Sequence, residues 1–206
     1  MKKGIILLAA LLVLCSVAAC GQKKAETGTV GGWTLAETVE IPEEAKTAFD
    51  RALEGLVGVN YTPVALLGSQ TVSGRNYCFL CEAAVVYPDA QPYYAVVTVY
   101  QNLEGKAEIR NIVALDLGRI AETGEIEDAQ PSGGQTLGGW TVDRESAVQA
   151  ENAVLHLGSQ VVSGTNHCVL AKGWNLVFIH EDLEGKTQVM KTVPLDVAAL
   201  SQPKGA

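Results

Sequence analysis

The chain has 206 residues, 48% hydrophobic and 18% charged, with a formal net charge of −8. That acidic balance argues against an electrostatic grip on nucleic acid or on anionic lipid. The length suits one domain or two small ones.

The first twenty residues read as an address. Lys2 and Lys3 form a basic start, and Ile5 to Val13 are an apolar run too short to span a bilayer as a mature helix. Val17-Ala18-Ala19-Cys20 resembles a bacterial lipobox, whose small residues admit the signal peptidase and whose thiol receives diacylglycerol. Cys15 fits poorly as the acceptor, because Leu14 stands where a small residue is expected. The resemblance implies a signal peptide over 1–20, lipidation of Cys20, and a cell-envelope protein anchored on the extracytoplasmic side of the membrane. Loss of Lys2 and Lys3 takes the formal charge to −10. The acyl methylenes, at about 0.8 kcal/mol each, then supply the membrane contact. Residues 21–30 read as a tether.

From residue 31 to 118 the pattern predicts a strand (33–39), a helix (42–57) and four antiparallel strands (61–70, 75–87, 93–103 and 106–116). Ala45, Ala48, Phe49, Ala52, Leu53, Leu56 and Val57 form the helix's apolar stripe. Pro42 suits its first position, Glu43 and Glu44 complement its dipole, and Gly58 is a natural stop. On the third strand Tyr77, Phe79, Cys81, Ala83 and Val85 share one face, and Cys78, Leu80, Ala84 and Val86 share the other. A sheet covered on one side alternates apolar with polar, so here something must cover both faces. Beyond Cys20 the mature chain keeps Cys78, Cys81 and Cys168, an odd number. Cys78 and Cys81 point to opposite faces, with neither a helix start to activate a redox thiol nor a second ligand pair to close a zinc site. They read as buried free thiols.

The same order then recurs. Gly31-Gly32-Trp33-Thr34 matches Gly138-Gly139-Trp140-Thr141, and residues 102–117 match 182–197 without a gap. Residues 119–135, acidic and rich in glycine and proline, read as a linker to a second copy over 136–200, with a tail at 201–206. Trp33 to Gln70 is 37 positions and Trp140 to Gln160 only 20, so the second copy lacks the 17 residues of 42–58. A short helix or irregular chain over 143–154 could stand in their place, and the sequence leaves both open. Without the Phe49, Leu53, Leu56 and Val57 equivalents the second copy forgoes roughly 6–12 kcal/mol of burial, comparable to a small domain's whole stability of about 5–15 kcal/mol. It is therefore expected to pack on the first copy, add to its sheet edge or pair with another molecule, and Leu80, Ala84 and Val86 favour packing within the chain.

Within the repeat, Gln70-Thr71-Val72-Ser73-Gly74 and Gln160-Val161-Val162-Ser163-Gly164 each follow Leu-Gly-Ser and precede Asn76 or Asn166. This resembles the Gln-x-Val-x-Gly hairpin loop of the cystatins and stefins, inhibitors of papain-like cysteine proteases. The resemblance implies an α+β, cystatin-like fold, one helix across a curved antiparallel sheet, followed by a helix-depleted copy. It further implies a wedge that enters a protease cleft, built from Gly31 and Gly32 and the loop Gln70, Thr71, Val72, Ser73 and Gly74. Gln160, Val161, Val162, Ser163 and Gly164 are the second copy's loop. Glycine permits close backbone approach, and a stiff hairpin presents an uncharged edge at small entropic cost. The wedge's usual third element, a loop holding Pro-Trp, departs here: Leu103-Glu104-Gly105-Lys106 and Leu183-Glu184-Gly185-Lys186 have neither residue. The same residues also serve a non-inhibitory interaction or scaffold module that keeps the fold. His156, His167 and His180 are scattered in sequence, with no triad spacing and no phosphate loop. The chain reads as a non-enzyme without cofactor or metal, its partners being a papain-like protease or other protein and the membrane through its lipid.

Cys20→Ser is expected to release the protein from membranes or to leave the precursor uncleaved. Acyl labelling and the mass of the mature terminus check this, and label retained in the variant would contradict it.

Overall fold

A computed structural model describes residues 31–127, 139–148 and 150–203. The signal segment, Cys20, the tether, Gly138 and linker residues 128–135 lie outside the described residues. The fold is α+β and mostly antiparallel. A first sheet joins β1 (Trp33–Leu35), β2 (Val59–Val72), β3 (Gly74–Val85), β4 (Tyr93–Gln101) and β5 (Ala107–Leu115) in chain order. A second joins β6 (Thr141–Val142), β7 (Ala153–Val162), β8 (Gly164–Ala171), β9 (Asn175–Glu181) and β10 (Thr187–Pro194), also in chain order. Helices α1 (Glu43–Ala52), α2 (Leu117–Thr123) and α3 (Val197–Leu200) complete the described elements. Among the described residues no helix is long and apolar enough to cross a membrane.

Helix α1 stops earlier than its apolar stripe predicts. Leu53 caps it, and Gly55 (φ 81°) and Gly58 (φ 92°) turn the chain away in left-handed conformations. Leu56 and Val57 are consequently exposed, Val57 by 87%. Ala45, Ala48 and Phe49 pack on Tyr77, Phe79, Cys81, Val97 and Val99, with Phe49 edge-on to Phe79 at 5.0 Å. No helix forms among the described residues of 143–154; that stretch is irregular until β7 begins.

The opposite face of the first sheet meets the second sheet. Leu67, Cys78, Leu80, Tyr94 and Val96 share one core with Leu157, Cys168, Leu170, Trp174, Leu176 and Phe178. Alternation along β3 thus sends Cys81 beneath α1 and Cys78 between the sheets. Val86 plays no part in that core, since it is 64% exposed beyond the end of β3. Cys78, Cys81 and Cys168 are free and buried, and burial pushes the Cys78 thiol up to about 11 and raises the other two. Thiols held in this form are poor nucleophiles.

The stretch read as linker from residue 119 begins instead inside α2. Its start is set by Asp116, whose carboxylate accepts the Arg119 N–H, and its end by Gly124 (φ 81°). Asp196 caps α3 in the same way through the Ala199 N–H. Each helix leaves its own sheet and packs on the other. A Cβ on Gly158 would lie 3.3 Å from Leu117, and one on Gly118 would lie 3.3 Å from Trp140. Reciprocally, α3 contacts β1, and the Ser201 and Thr98 hydroxyls lie 3.2 Å apart. Even the caps are exchanged. Asn111 Nδ2 on β5 donates to the Leu200 and Gln202 carbonyls at 2.9 Å each, and Lys191 Nζ on β10 donates to the Glu122 carbonyl at 2.7 Å. Positions 111 and 191 coincide in the two matched segments, and both satisfy carbonyls that a helix end leaves unpaired.

This exchange fixes the sheets' relative direction. Call the end carrying the β2–β3 and β4–β5 turns, or the β7–β8 and β9–β10 turns, the loop end of each sheet. Leu117 lies just past the far end of β5, yet it packs on Gly158, four residues from the loop end of β7. Ser201 lies past the far end of β10, yet it meets Thr98, three residues from the loop end of β4. Both hold together only when the two loop ends point in opposite directions.

Leu170→Ala, at a fully buried position of the shared core, should cost about 2–5 kcal/mol. Urea unfolding should remain one transition, with tryptophan fluorescence and far-UV circular dichroism coinciding. Two separated transitions would contradict a core common to both sheets.

Candidate functional site

The loop ends gather most of the residues that the sequence singles out. At the first, Gly31 N–H donates to the Thr71 carbonyl at 3.1 Å, and the Gln70 amide donates to the Gly31 carbonyl at 2.8 Å. Gln70 Oε1 in turn accepts from Asn76 Nδ2 at 2.6 Å. Gln70 therefore clips the entering chain to the hairpin instead of facing solvent. Gly31 (φ 87°) and Gly32 are exposed beside it. The Tyr100 hydroxyl donates to the Ser73 carbonyl, joining the first turn to the strand that leads into the second. That second turn is held by Asn102 Oδ1, which accepts the Glu104 and Lys106 N–H groups at 3.0 and 2.9 Å, and by Arg51, which donates to the Gly105 carbonyl at 2.9 Å.

What remains exposed is short: Thr71, Val72 and Ser73 on the first turn, and Leu103, 86% exposed, beside Glu104 and Lys106 on the second. The sequence shows only that Pro-Trp is missing from that turn. The structure puts a leucine at its tip. A leucine between Asn102 and Glu104 in a turn with no strand partner is the signal that would have found it.

The second loop end repeats this construction in its two turns, with Gly138 outside the described residues and His180 at the place of Tyr100. Gln160 Oε1 accepts from Asn166 Nδ2 at 2.9 Å, and Asn166 Oδ1 accepts from His180 Nδ1 at 2.8 Å. Asp182 Oδ1 takes the Glu184 and Lys186 N–H groups at 2.9 Å each. Val161 (74%), Val162 (45%) and Leu183 (85%) are exposed, with Ser163 between the turns.

The glycines closing the motif serve the hairpins. Gly74 (φ 124°) and Gly164 (φ 105°) sit where a Cβ would come within 2.3 Å of the Gln101 and Glu181 carbonyl oxygens. A side chain there would force the adjoining strands apart, so substitution acts on the fold before it acts on any partner.

One cluster escapes sequence reasoning. His156 and His167, scattered along the chain, meet on the outer face of the second sheet, with His156 Nε2 3.1 Å from His167 Nδ1. An unbroken register from the Ser159–His167 pair would set His156 opposite Leu170, facing the shared core. A bulge between His156 and Gly158 sets it opposite Val169 instead. His156 Nδ1 bonds the Asp143 carbonyl, which can only accept, so Nδ1 carries the proton and Nε2 accepts from His167. His167 Nε2 is then buried without a hydrogen bond, 3.6 Å from Glu181. Glu181 faces the other ring nitrogen from His156, so the three do not converge on one point. Among the described residues no group of three or more His, Cys, Asp or Glu could hold a metal ion.

No family model matches the chain, and no curated protein or solved structure matches it either.

Burial, and then the neighbouring His156, hold the His167 imidazole below the usual histidine range, while Glu181 and Asp143 pull it upward. The unfolded chain, with a histidine near pKa 6.5, thus binds more protons than the fold. Stability should be full above about pH 6.5 and fall as the pH drops through the depressed folded value. Denaturant midpoints between pH 7.5 and 5 should show a decline that His167→Tyr, the residue found at Tyr77, makes shallower. Equal slopes in both proteins would contradict it.

Proposed function

We propose that the chain is a cell-envelope lipoprotein of cystatin-like build that binds a protein partner through its loop ends, as an inhibitor of a papain-like cysteine protease. The observation that carries this reading is the meeting of three segments at one sheet end: Gly31, the turn at Thr71–Ser73, and the turn bearing Leu103. A cleft-blocking wedge needs such an edge. It is narrow, apolar at Val72 and Leu103 with the exposed Glu104–Lys106 pair beside them, and stiffened by hydrogen bonds before any partner arrives, so little conformational entropy is lost on docking. Leu103 and Leu183 supply the apolar contact expected of Pro-Trp. No arrangement for chemistry on a substrate is part of this reading.

A second reading is favoured by one observation. Gln70, Asn76 and Gly74 are all used internally, by the clip and by the hairpin. A motif whose defining residues are explained by folding also suits a scaffold module that keeps the fold without blocking a protease.

Titration of papain activity with the chain from residue 21 onward separates the two. The inhibitor reading expects stoichiometric loss of activity. Leu103→Asp combined with Leu183→Asp, at tips that no core uses, should leave stability within about 0.5 kcal/mol. The same pair should weaken inhibition at least about tenfold, roughly 1.4 kcal/mol. Full papain activity at high micromolar wild-type protein would end the inhibitor reading in favour of the scaffold.

A further inference from the structure

We infer that the molecule is two-ended and holds two partner molecules at once, one at each loop end. This rests on the protein-binding reading above and adds its stoichiometry and geometry. Three observations carry it.

The first is equivalence. Both ends have the Gln–Asn clip (Gln70 with Asn76, Gln160 with Asn166) and an obligate glycine closing the hairpin. Both have a leucine about equally bare on the second turn, Leu103 at 86% and Leu183 at 85%. On the first turn Val162, the counterpart of Val72, is similarly bare, at 45% against 37%, and Val161, 74% exposed, stands where the first end has Thr71. Among the described residues both turns of the second loop end are kept, with His180 at the place of Tyr100 and bonded to Asn166.

The second is the place of the loss. The 17 residues missing from the second half formed a helix that, in the first half, covers the outer sheet face at Tyr77, Phe79 and Val97. Two bonds from α1 reach the first loop end: Glu44 accepts from Arg75 at 3.4 Å, and Arg51 donates to the Gly105 carbonyl of the second turn. Its counterpart turn at Asp182–Lys186 closes without it, through Asp182. Losing the helix changes the flank of the second sheet and leaves its tip intact.

The third is direction. The exchanged helices oblige the two loop ends to point away from each other. Leu115 lies eight residues from the loop end of β5, and Gly158 lies four residues from that of β7. At about 3.3 Å per strand residue the tips are therefore roughly 40 Å apart. A partner seated on one tip extends outward along the strands and occupies no space that a partner on the other tip would need. The two sites are sterically independent, with the shared core of the two sheets between them.

The test measures complex mass with papain as the probe. The full-length chain in detergent is mixed with excess papain and sedimented. One chain carrying two papain molecules is expected. Leu103→Asp alone and Leu183→Asp alone should each reduce this to one papain per chain, and the pair together should leave none. A wild-type complex of one to one overturns the two-ended geometry while leaving protease binding intact. Two papains still bound by either single variant would equally overturn the assignment of one site to each tip. No complex with wild type would overturn the binding reading itself, and this inference with it.

Discussion

The structure depends on one constraint: each sheet is apolar on the face that α1 does not cover. Cys78, Leu80 and Val96 lie on the face opposite α1 and share one core with Cys168, Leu170 and Phe178. Water-exposed, the two faces would form patches of a size that soluble monomers rarely show. Placed together they form a single core. The strand order, the helix exchange and the opposite directions of the loop ends can all be understood as ways of closing that core. At its rim Arg144 approaches Glu82 at 3.9 Å, a half-exposed pair that orients more than it stabilises.

The two halves solve their outer faces differently. The first uses α1, whose Glu44 accepts from the Tyr77 hydroxyl at 2.8 Å. Among the described residues the second has no helix there, and its counterpart of Tyr77 is His167, which turns sideways to His156 and Glu181. A hydrophobic cover has been exchanged for a polar one built from three neighbouring strands. Such a network is sensitive to protonation in a way that Phe49 on Phe79 is not.

Much of the fold was legible because period-2 alternation is a strong signal over long strands. The faces assigned to Tyr77, Phe79 and Cys81 and to Cys78 and Leu80 follow from it directly. Features that break periodicity were not legible. The bulge at His156–Gly158 reverses which way a side chain points, and no residue type marks it. Helix α2 buries only Leu117 and Ile120, too few for a period to show, although Asp116 and Gly124 are recognisable caps in hindsight. The end of α1 was misplaced because Leu56 and Val57 continue its stripe, while Gly55 just before them takes a conformation a helix cannot hold. At the loop ends the motif drew attention to Gln70 and Gly74. Their partners, the Gly31 carbonyl and the Gln101 backbone, are remote in sequence and could not be seen.

The exchanged helices also bear on how the chain is made. Synthesis runs from the amino terminus, so the first sheet can form its hydrogen bonds while its inner face still lacks a cover. Helix α3, among the last described elements, closes that face by lying on β1 and taking the Asn111 amide at its end. Until residues 197–202 emerge, Leu67 and Cys78 wait uncovered, and long-range closure of this kind is slow. Exposed apolar surface of this kind favours aggregation, and a chain truncated before residue 197 would lack the helix that seals that face.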